Sequence, residues 1–447
     1  MEIDGYFAET VYPPHFPHEF TPAWIDHALR HGGHTPRRGF RGPFRYLDLG
    51  CGNGIQLILM AAGCPEGQFT GTDANASSME RAQALAEGLG VTNATFRAET
   101  FAESLDRLEP GFDYVTGLGL LTWVSAENRH LLYRIAGRVL APGGAACFGY
   151  NSLPGRAPEI VLQRYLLDAV RRDGGPQPEA LIAAMDRLAT LAEASAPGLQ
   201  HPRLRQVLEM RNKVDPTFLP HEYLSEHWTP LHAQDVILAM AEQGLAFAGS
   251  LTLLENRPDF VLRRAAREAV EAEDTVAGRQ RLTDLLTDQG FRRDVFVRGP
   301  VEQSDTTADR DAAWISAAGP VAKAEFSLQT PAGRIRFDNR TARGMLGALE
   351  AGPLPVAEAG AHVSRADRLN TLDALMAAEL VIPVEPPATV EAGAVNRWLA
   401  ERAAGDAGAP KVRITRYGAR KVPPTLLRAI GGTGGTPDPA AIARLGL

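Results

Sequence analysis

The chain has 447 residues, of which 45% are hydrophobic and 22% charged, with a formal net charge of -7. That length exceeds what one hydrophobic core holds and implies two or three domains. The acidic balance excludes a general nucleic-acid binder, and no apolar run is long enough to cross a bilayer. Cys51, Cys64 and Cys147 are odd in number and lack metal-ligand spacing, which implies no disulfide framework, no metal, and a reducing, cytoplasmic setting.

Residues 1–40 are acidic and aromatic, unlike a signal peptide, and carry Tyr6, Phe7, Tyr12, Phe16, Phe20 and Trp24. Next, Tyr46-Leu47-Asp48 reads as the end of a buried parallel strand, and Ile55 to Ala62 as the helix after it. Between them lies Asp48-Leu49-Gly50-Cys51-Gly52-Asn53-Gly54, with glycine at every second position, where the backbone must bend and approach a ligand. A dinucleotide loop would read Gly-x-Gly-x-x-Gly and face pyrophosphate. Here a carboxylate opens the loop, which suits an ammonium group and repels pyrophosphate. Four further strands follow. Phe69 to Asp73 ends in a second carboxylate, where a doubly wound sheet places its ribose-binding acid, and Asn75 starts a helix. Thr95 to Ala98 leaves Glu99 and Thr100 at its carboxyl end; Phe112 to Gly117 is the fourth strand; Ala145 to Gly149 follows a helix end and turn as the fifth.

Helical apolar spacing then runs from Pro158 to Lys213 and again from Pro258 to Gly290. Ala233 to Ala241 reads as a helix stopped by Gly244, Leu245 to Leu251 as a sixth strand, and Phe291 to Arg298 as a half-exposed seventh. The polar stretch 301–326 reads as a linker. Residues 327–385 read as a strand (Arg334 to Asp338), two helices (Arg343 to Glu350, Ser364 to Glu379) and a closing strand (Leu380 to Val384), an order that resembles a winged helix. Between Gly333 and Glu385 six arginines meet seven acids, which favours docking to protein over DNA. Residues 386–447 read as a C-terminal tail rich in alanine, glycine and proline, whose Gly431-Gly432-Thr433-Gly434-Gly435-Thr436 lacks the lysine of a phosphate loop and reads as a flexible turn.

The Asp48 loop, Asp73 and the five strand ends together resemble the class I S-adenosylmethionine (SAM) methyltransferases: α/β, Rossmann-like, a seven-stranded sheet with an antiparallel last strand, here with helical insertions and the winged-helix-like unit. Trp123-Val124-Ser125, Tyr150-Asn151-Ser152-Leu153-Pro154-Gly155, Leu219-Pro220-His221-Glu222-Tyr223 through Pro230, and Phe291 to Gly299 resemble, more narrowly, bacterial methyltransferases with a methyltransferase regulatory domain. That group includes protein-lysine methyltransferases of a rickettsial outer-membrane protein B. The resemblance implies an N-terminal segment (1–40), a SAM-binding core (41–155), a helical insertion (156–220) and a regulatory-type region (221–300).

The implied cofactor is SAM, and its product S-adenosylhomocysteine. It would be held by Asp48, Gly50, Cys51, Gly52, Asn53, Gly54, Asp73, Ala74, Asn75, Glu99, Thr100, Gly117, Leu118 and Trp123. Trp123 either walls the methyl donor or packs. Tyr150 and Asn151, leaving the fifth strand, are the acceptor-side candidates; the alternative is a plain turn. Tyr12 and its aromatic neighbours form either a lid over the cofactor or a hydrophobic clasp. His221, Glu222 and His227 lack zinc spacing and suit a structural role. The expected activity is methylation of an amine, a protein lysine side chain, with a protein or peptide as partner and neither membrane nor nucleic acid. A small-molecule acceptor, or a SAM-binding regulator without turnover, stays open. The chain has Leu118-Gly119-Leu120-Leu121-Thr122-Trp123 where that family often carries His-Gly-x-Tyr-Ser-Trp.

Overall fold

The computed structural model describes residues 2–3, 6–7, 16–174, 177–214, 219–299, 305–319, 321, 324–405 and 412–421. The expected SAM-binding strands are present: β1 (Phe44–Leu49), β2 (Gly67–Asp73), β3 (Ala94–Ala98), β4 (Phe112–Leu118) and β5 (Leu140–Asn151). Two more complete the sheet, β6 (Leu245–Ser250) and β7 (Phe291–Arg298). Their order across the sheet is β3-β2-β1-β4-β5-β7-β6, with β7 antiparallel to both neighbours. The reversal lies between β1 and β4, so β1 and β4 splay their following loops to opposite sides and open a crevice at their carboxyl ends.

Helices cover both faces. Pro22–His31 (α1) precedes the sheet, and Ile55–Gly63 (α2), Ala76–Gly88 (α3), Phe101–Arg107 (α4) and Ala126–Val139 (α5) follow successive strands. After β5, Ala157–Asp173 (α6), Gln177–Glu193 (α7) and Pro202–Met210 (α8) form the insertion. They pack Leu166, Leu181, Met185 and Leu208 into a small core of their own. Leu219–Tyr223 (α9) and Ala233–Glu242 (α10) lead back to β6, and Pro258–Val261 (α11), Arg264–Glu271 (α12) and Val276–Thr287 (α13) lead to β7.

Three expectations change. The turn expected at 141–144 is absorbed into β5, which begins directly at Leu140; Tyr150 and Asn151 are therefore its last strand residues, paired with Arg292 and Phe291 of β7. Sitting between β5 and β6 also buries most of β7, rather than leaving it half-exposed. Finally, 301–326 is not simply a linker. It holds a helix, Thr307–Ala312 (α14), and a strand, Trp314–Ala317 (β8).

That strand changes the C-terminal unit. Ser327–Thr330 (β9) and Gly333–Arg336 (β10) pair only with each other, and Arg340–Ala348 (α15) follows. Leu354–Pro355 (β11) and Val381–Pro383 (β12) flank β8 in a three-stranded antiparallel sheet, with Val356–Ala359 (α16) and Arg365–Ala377 (α17) between them in sequence. The closing strand thus pairs with β8 and not with Arg334–Arg336. The start of the tail is folded: Gly393–Gly405 (α18) packs on the hairpin Val412–Thr415 (β13) with Gly418–Lys421 (β14), and that hairpin packs on α2. A Cβ on Gly63 would lie 2.6 Å from the Ala419 nitrogen. The glycine-rich run from Gly431 lies outside the described residues. No helix among the described residues is long and apolar enough to cross a membrane.

Candidate active site

The loop after β1 is shaped by its glycines. Gly50, Gly52 and Gly54 have φ of 61°, 59° and 69°, a left-handed conformation that side chains disfavour. Two of them are also packed. A Cβ on Gly50 would lie 2.6 Å from Leu120, and one on Gly54 2.6 Å from Phe96 and 2.7 Å from Ala82. Gly52 differs: nothing lies within 4 Å of its Cβ position, so its missing side chain leaves open space above the loop. Asn53 and Cys51 shape the turn. Asn53 Oδ1 accepts from the Ile55 nitrogen at 3.1 Å, and Cys51 turns its sulfur inward, 3.7 Å from Met79 Sδ.

Two carboxylates flank this loop. Asp48, the β1 residue paired with Thr116 of β4, is buried, and its Oδ1 accepts from the Thr116 hydroxyl at 2.8 Å. Among the described residues it has no cation partner. Burial pushes its carboxyl up to about 7, with the Thr116 hydroxyl opposing and the Asp73 charge adding to the rise. Asp73 ends β2; its oxygens accept from the Gly52 nitrogen at 3.0 Å and the Asn75 nitrogen at 2.9 Å, while burial raises its pKa. Ala74 is exposed beside it, and Asn75 Oδ1 caps α3 by accepting from the Ser78 nitrogen at 3.1 Å. An acidic, open cradle of this kind fits a ligand with an ammonium at one end and hydroxyls farther along.

The third strand end behaves differently. Glu99 is buried, 3.3 Å from Arg97 Nε and 3.3 Å from the Ser104 hydroxyl, and its nitrogen donates to the Asp73 carbonyl at 3.0 Å. Thr100 spends its hydroxyl as the cap of α4, in a reciprocal arrangement with Glu103. Its backbone is engaged as well, the nitrogen donating to Glu103 Oε2 at 2.9 Å and the carbonyl accepting from the Ser104 nitrogen at 2.8 Å. Gly117 and Leu118 close the floor: a Cβ on Gly117 would lie 2.8 Å from Phe148, and Leu118 packs over Gly149. Trp123 is buried, with its ring 6.3 Å from that of Trp228. The regulatory-type region is stitched to this loop, because the Thr229 nitrogen donates to the Thr122 carbonyl at 2.9 Å.

On the acceptor side the structure places the two expected residues differently. Tyr150 is fully buried, and its hydroxyl donates to Asp294 Oδ2 at 2.5 Å, inside the protein. That contact takes it away from the direct orienting role expected of it. Asn151 is buried too, but its side-chain amide makes no hydrogen bond among the described residues, while its carbonyl accepts from the Leu231 nitrogen at 3.0 Å. Tyr12 lies outside the described residues. Phe16, Phe20 and Trp24 form the clasp: all are buried, Phe20 gives its carbonyl to the Tyr46 hydroxyl at 2.8 Å, and Trp24 Nε1 donates to the Leu251 carbonyl at 2.7 Å. Among the described residues no His, Cys, Asp or Glu group could hold a metal. Thr116, Leu120, Trp228 and the Arg292–Asp294 pair were not singled out from sequence, because each meets its partner through the fold rather than along the chain.

Comparison with known proteins agrees with this geometry. Residues 47–144 match a methyltransferase domain, and residues 215–298 match a predicted methyltransferase regulatory domain. An uncharacterized protein of Synechocystis is 29% identical over 321 residues; the match takes 70% of this chain but only 63% of the length of that protein. An uncharacterized protein of Rickettsia prowazekii, RP028, is 31% identical over 111 residues, which are 25% of this chain and 44% of that protein. The structure of PKMT2 from Rickettsia typhi in complex with AdoHcy superposes with a TM-score of 0.71 at 19% identity, covering 96% of this chain and 90% of that one. The fold is therefore shared over nearly the whole chain.

Proposed function

We propose that this class I methyltransferase, whose chain joins a methyltransferase domain to a methyltransferase regulatory domain, methylates an amine, a lysine side chain of a protein. The observation that carries the reading is Asp48: a buried carboxylate with no cation partner among the described residues, at the mouth of a glycine cradle, is the electrostatic complement of an amino-acid ammonium. In this reading Asp48 and the Gly50–Gly54 loop hold the methionine end of SAM, and Asp73 and Asn75 face the ribose. Glu99 and Thr100, at the end of β3, lie toward the base, and Leu118 and Trp123 wall the reacting edge. SAM, when bound, supplies a methyl group on a sulfonium that departs as a neutral thioether.

The chain's own task is then to dry, align and neutralise. Alignment of the acceptor with the donor supplies much of the rate in such a displacement. A lysine must lose a proton first, which at pH 7 costs about 4–5 kcal/mol from a reference pKa near 10.4. Burial behind the insertion lowers that cost by disfavouring the ammonium. Asn151, with an amide oxygen uncommitted within the described residues, is placed to accept a hydrogen bond from the amine. The protein-lysine assignment is supported by the shared fold of PKMT2 and by the regulatory-type region against Trp123. A cytoplasmic site of action accords with three free cysteines.

The test is to incubate the purified protein with methyl-labelled SAM and a lysate of its source organism and separate products by size. Label on protein lysine, found by mass spectrometry, is the expected result. Label only in small molecules moves the acceptor to a metabolite. S-adenosylhomocysteine binding with no label anywhere makes the protein a SAM-binding regulator.

A further inference from the structure

Asn151 is flanked by two residues that are held from behind by one guanidinium. Strand alternation sets Tyr150 and Ser152 on the face opposite Asn151. On that face the Tyr150 hydroxyl donates to Asp294 Oδ2 at 2.5 Å, and the Ser152 hydroxyl lies 3.4 Å from Asp284 Oδ2, as well as 3.2 Å from the Leu153 carbonyl and 3.4 Å from the Leu231 carbonyl. Arg292 joins the two carboxylates. Its Nε lies 3.0 Å from each Asp294 oxygen, its Nη1 donates to Asp284 Oδ1, and its Nη2 donates to Gln280 Oε1 at 2.8 Å. Arg292 and Asp284 are each 2% exposed, and Asp294 is wholly buried. Ser152 is tied down again by its backbone, which donates to the Gly290 carbonyl at 3.0 Å.

A buried charge cluster is a poor source of net stability, because desolvation offsets most of the attraction; its better-attested contribution is a unique geometry. Here the geometry it defines is that of the residues immediately before and after Asn151. We infer that Arg292, acting through Asp294 and Asp284, is a positioning residue that clamps Tyr150 and Ser152 and so fixes Asn151 at the acceptor edge. The region around β7 and α13 thereby contributes to turnover without touching the substrate. This rests on the reading of Asn151 as the acceptor-side residue.

Tyr150→Phe and Ser152→Ala each remove one hydroxyl and little volume, so both variants keep the packing. In the full chain each should lower kcat for methyl transfer to poly-L-lysine about 3- to 10-fold, leaving KM and S-adenosylhomocysteine affinity within twofold. The double variant should speed hydrogen exchange of the backbone amides at 150–155 and leave those of the Asp48 loop as they are. Arg292→Lys keeps the charge but loses the fork, and should lower kcat further at unchanged S-adenosylhomocysteine affinity. If that variant does not fold, the hydroxyl variants decide. Unchanged kcat in the double variant, or faster exchange spread over the whole sheet, overturns the inference. Should the wild-type chain bind S-adenosylhomocysteine yet transfer nothing to poly-L-lysine, the amine reading fails. Exchange then decides the clamp: local acceleration supports it, and no change at 150–155 overturns it.

Discussion

Asp48 is costly to keep ionised where it sits, and that cost makes it testable. Burial pushes its carboxyl up to about 7, so it gains its negative charge as pH rises through neutrality. If that charge receives the ammonium of the cofactor, S-adenosylhomocysteine affinity should fall as pH drops from about 8 to 6. At higher pH still, the ligand's own α-amino group loses its proton and affinity falls again. Asp48→Asn should flatten the acid limb, and Asp48→Ala should weaken binding about 10- to 100-fold, the ~1.5–3 kcal/mol of a charged hydrogen bond. Titration calorimetry across this range measures both, and equal affinity at pH 6 and pH 8 would refute the assignment. Asn151→Ala is the complementary case: calorimetric affinity for the cofactor should hold while turnover falls about tenfold or more. Asp48 and Asn151 were legible because each stands in a motif along the chain. Thr116, which bonds Asp48, was not, since only the register of β1 against β4 brings them together.

The glycine loop shows how three identical residues do different things. Gly54 is both left-handed and enclosed, so Gly54→Ala must displace Phe96 or Ala82 as well as strain the backbone. It should destabilise the fold by about 2–4 kcal/mol. Gly52→Ala carries the backbone strain alone, about 1–2 kcal/mol, but fills the open space of the cradle. Thermal unfolding should therefore rank Gly54→Ala as the less stable variant, while calorimetry of the folded Gly52→Ala chain should show the loss of S-adenosylhomocysteine affinity. The reverse ranking would mean that the ligand does not pass over Gly52. The loop and its strands could be read from sequence because strand, bend and helix follow one another locally. The β5 boundary could not: Ala141-Pro142-Gly143-Gly144 does turn, with Gly143 at φ 75°, but as a bulge inside β5, because Leu140 pairs with Phe112 and Ala145 with Tyr114.

The C-terminal unit departs furthest from its sequence reading, and the reason is that many of its partners lie far away in the chain, from Trp24 and Ile58 to Arg257. Val395, Leu399, Val412 and Ile414 join the same apolar cluster as Trp24, Ile58 and Tyr114. Alanine- and glycine-rich sequence suggested a tail, because its few apolar side chains have no local periodic partner. Polar contacts follow the same route. Asp373 of α17 meets Arg257 at 2.7 Å and His31 of α1 at 3.3 Å, joining three regions at one carboxylate. Deeper still, Arg38 donates to Glu385 through both terminal nitrogens, at 2.9 and 2.8 Å, and through Nε to Asp26 at 2.8 Å, while Tyr114 of β4 donates to the same aspartate. Arg38, Asp26 and Glu385 are all buried, so removing one acid leaves the guanidinium undercompensated in a dry site. Glu385→Ala should therefore cost about 3–5 kcal/mol, far more than an exposed pair would. Arg264→Ala, which breaks the exposed bond to Glu268 on α12, is the control and should leave the unfolding midpoint where it is. A single unfolding transition that moves down as a whole in Glu385→Ala is the expected outcome, since the unit shares its core with the methyltransferase domain. A separate early transition, with the remaining transition unmoved and S-adenosylhomocysteine still bound, would instead make the C-terminal unit an independently folding attachment.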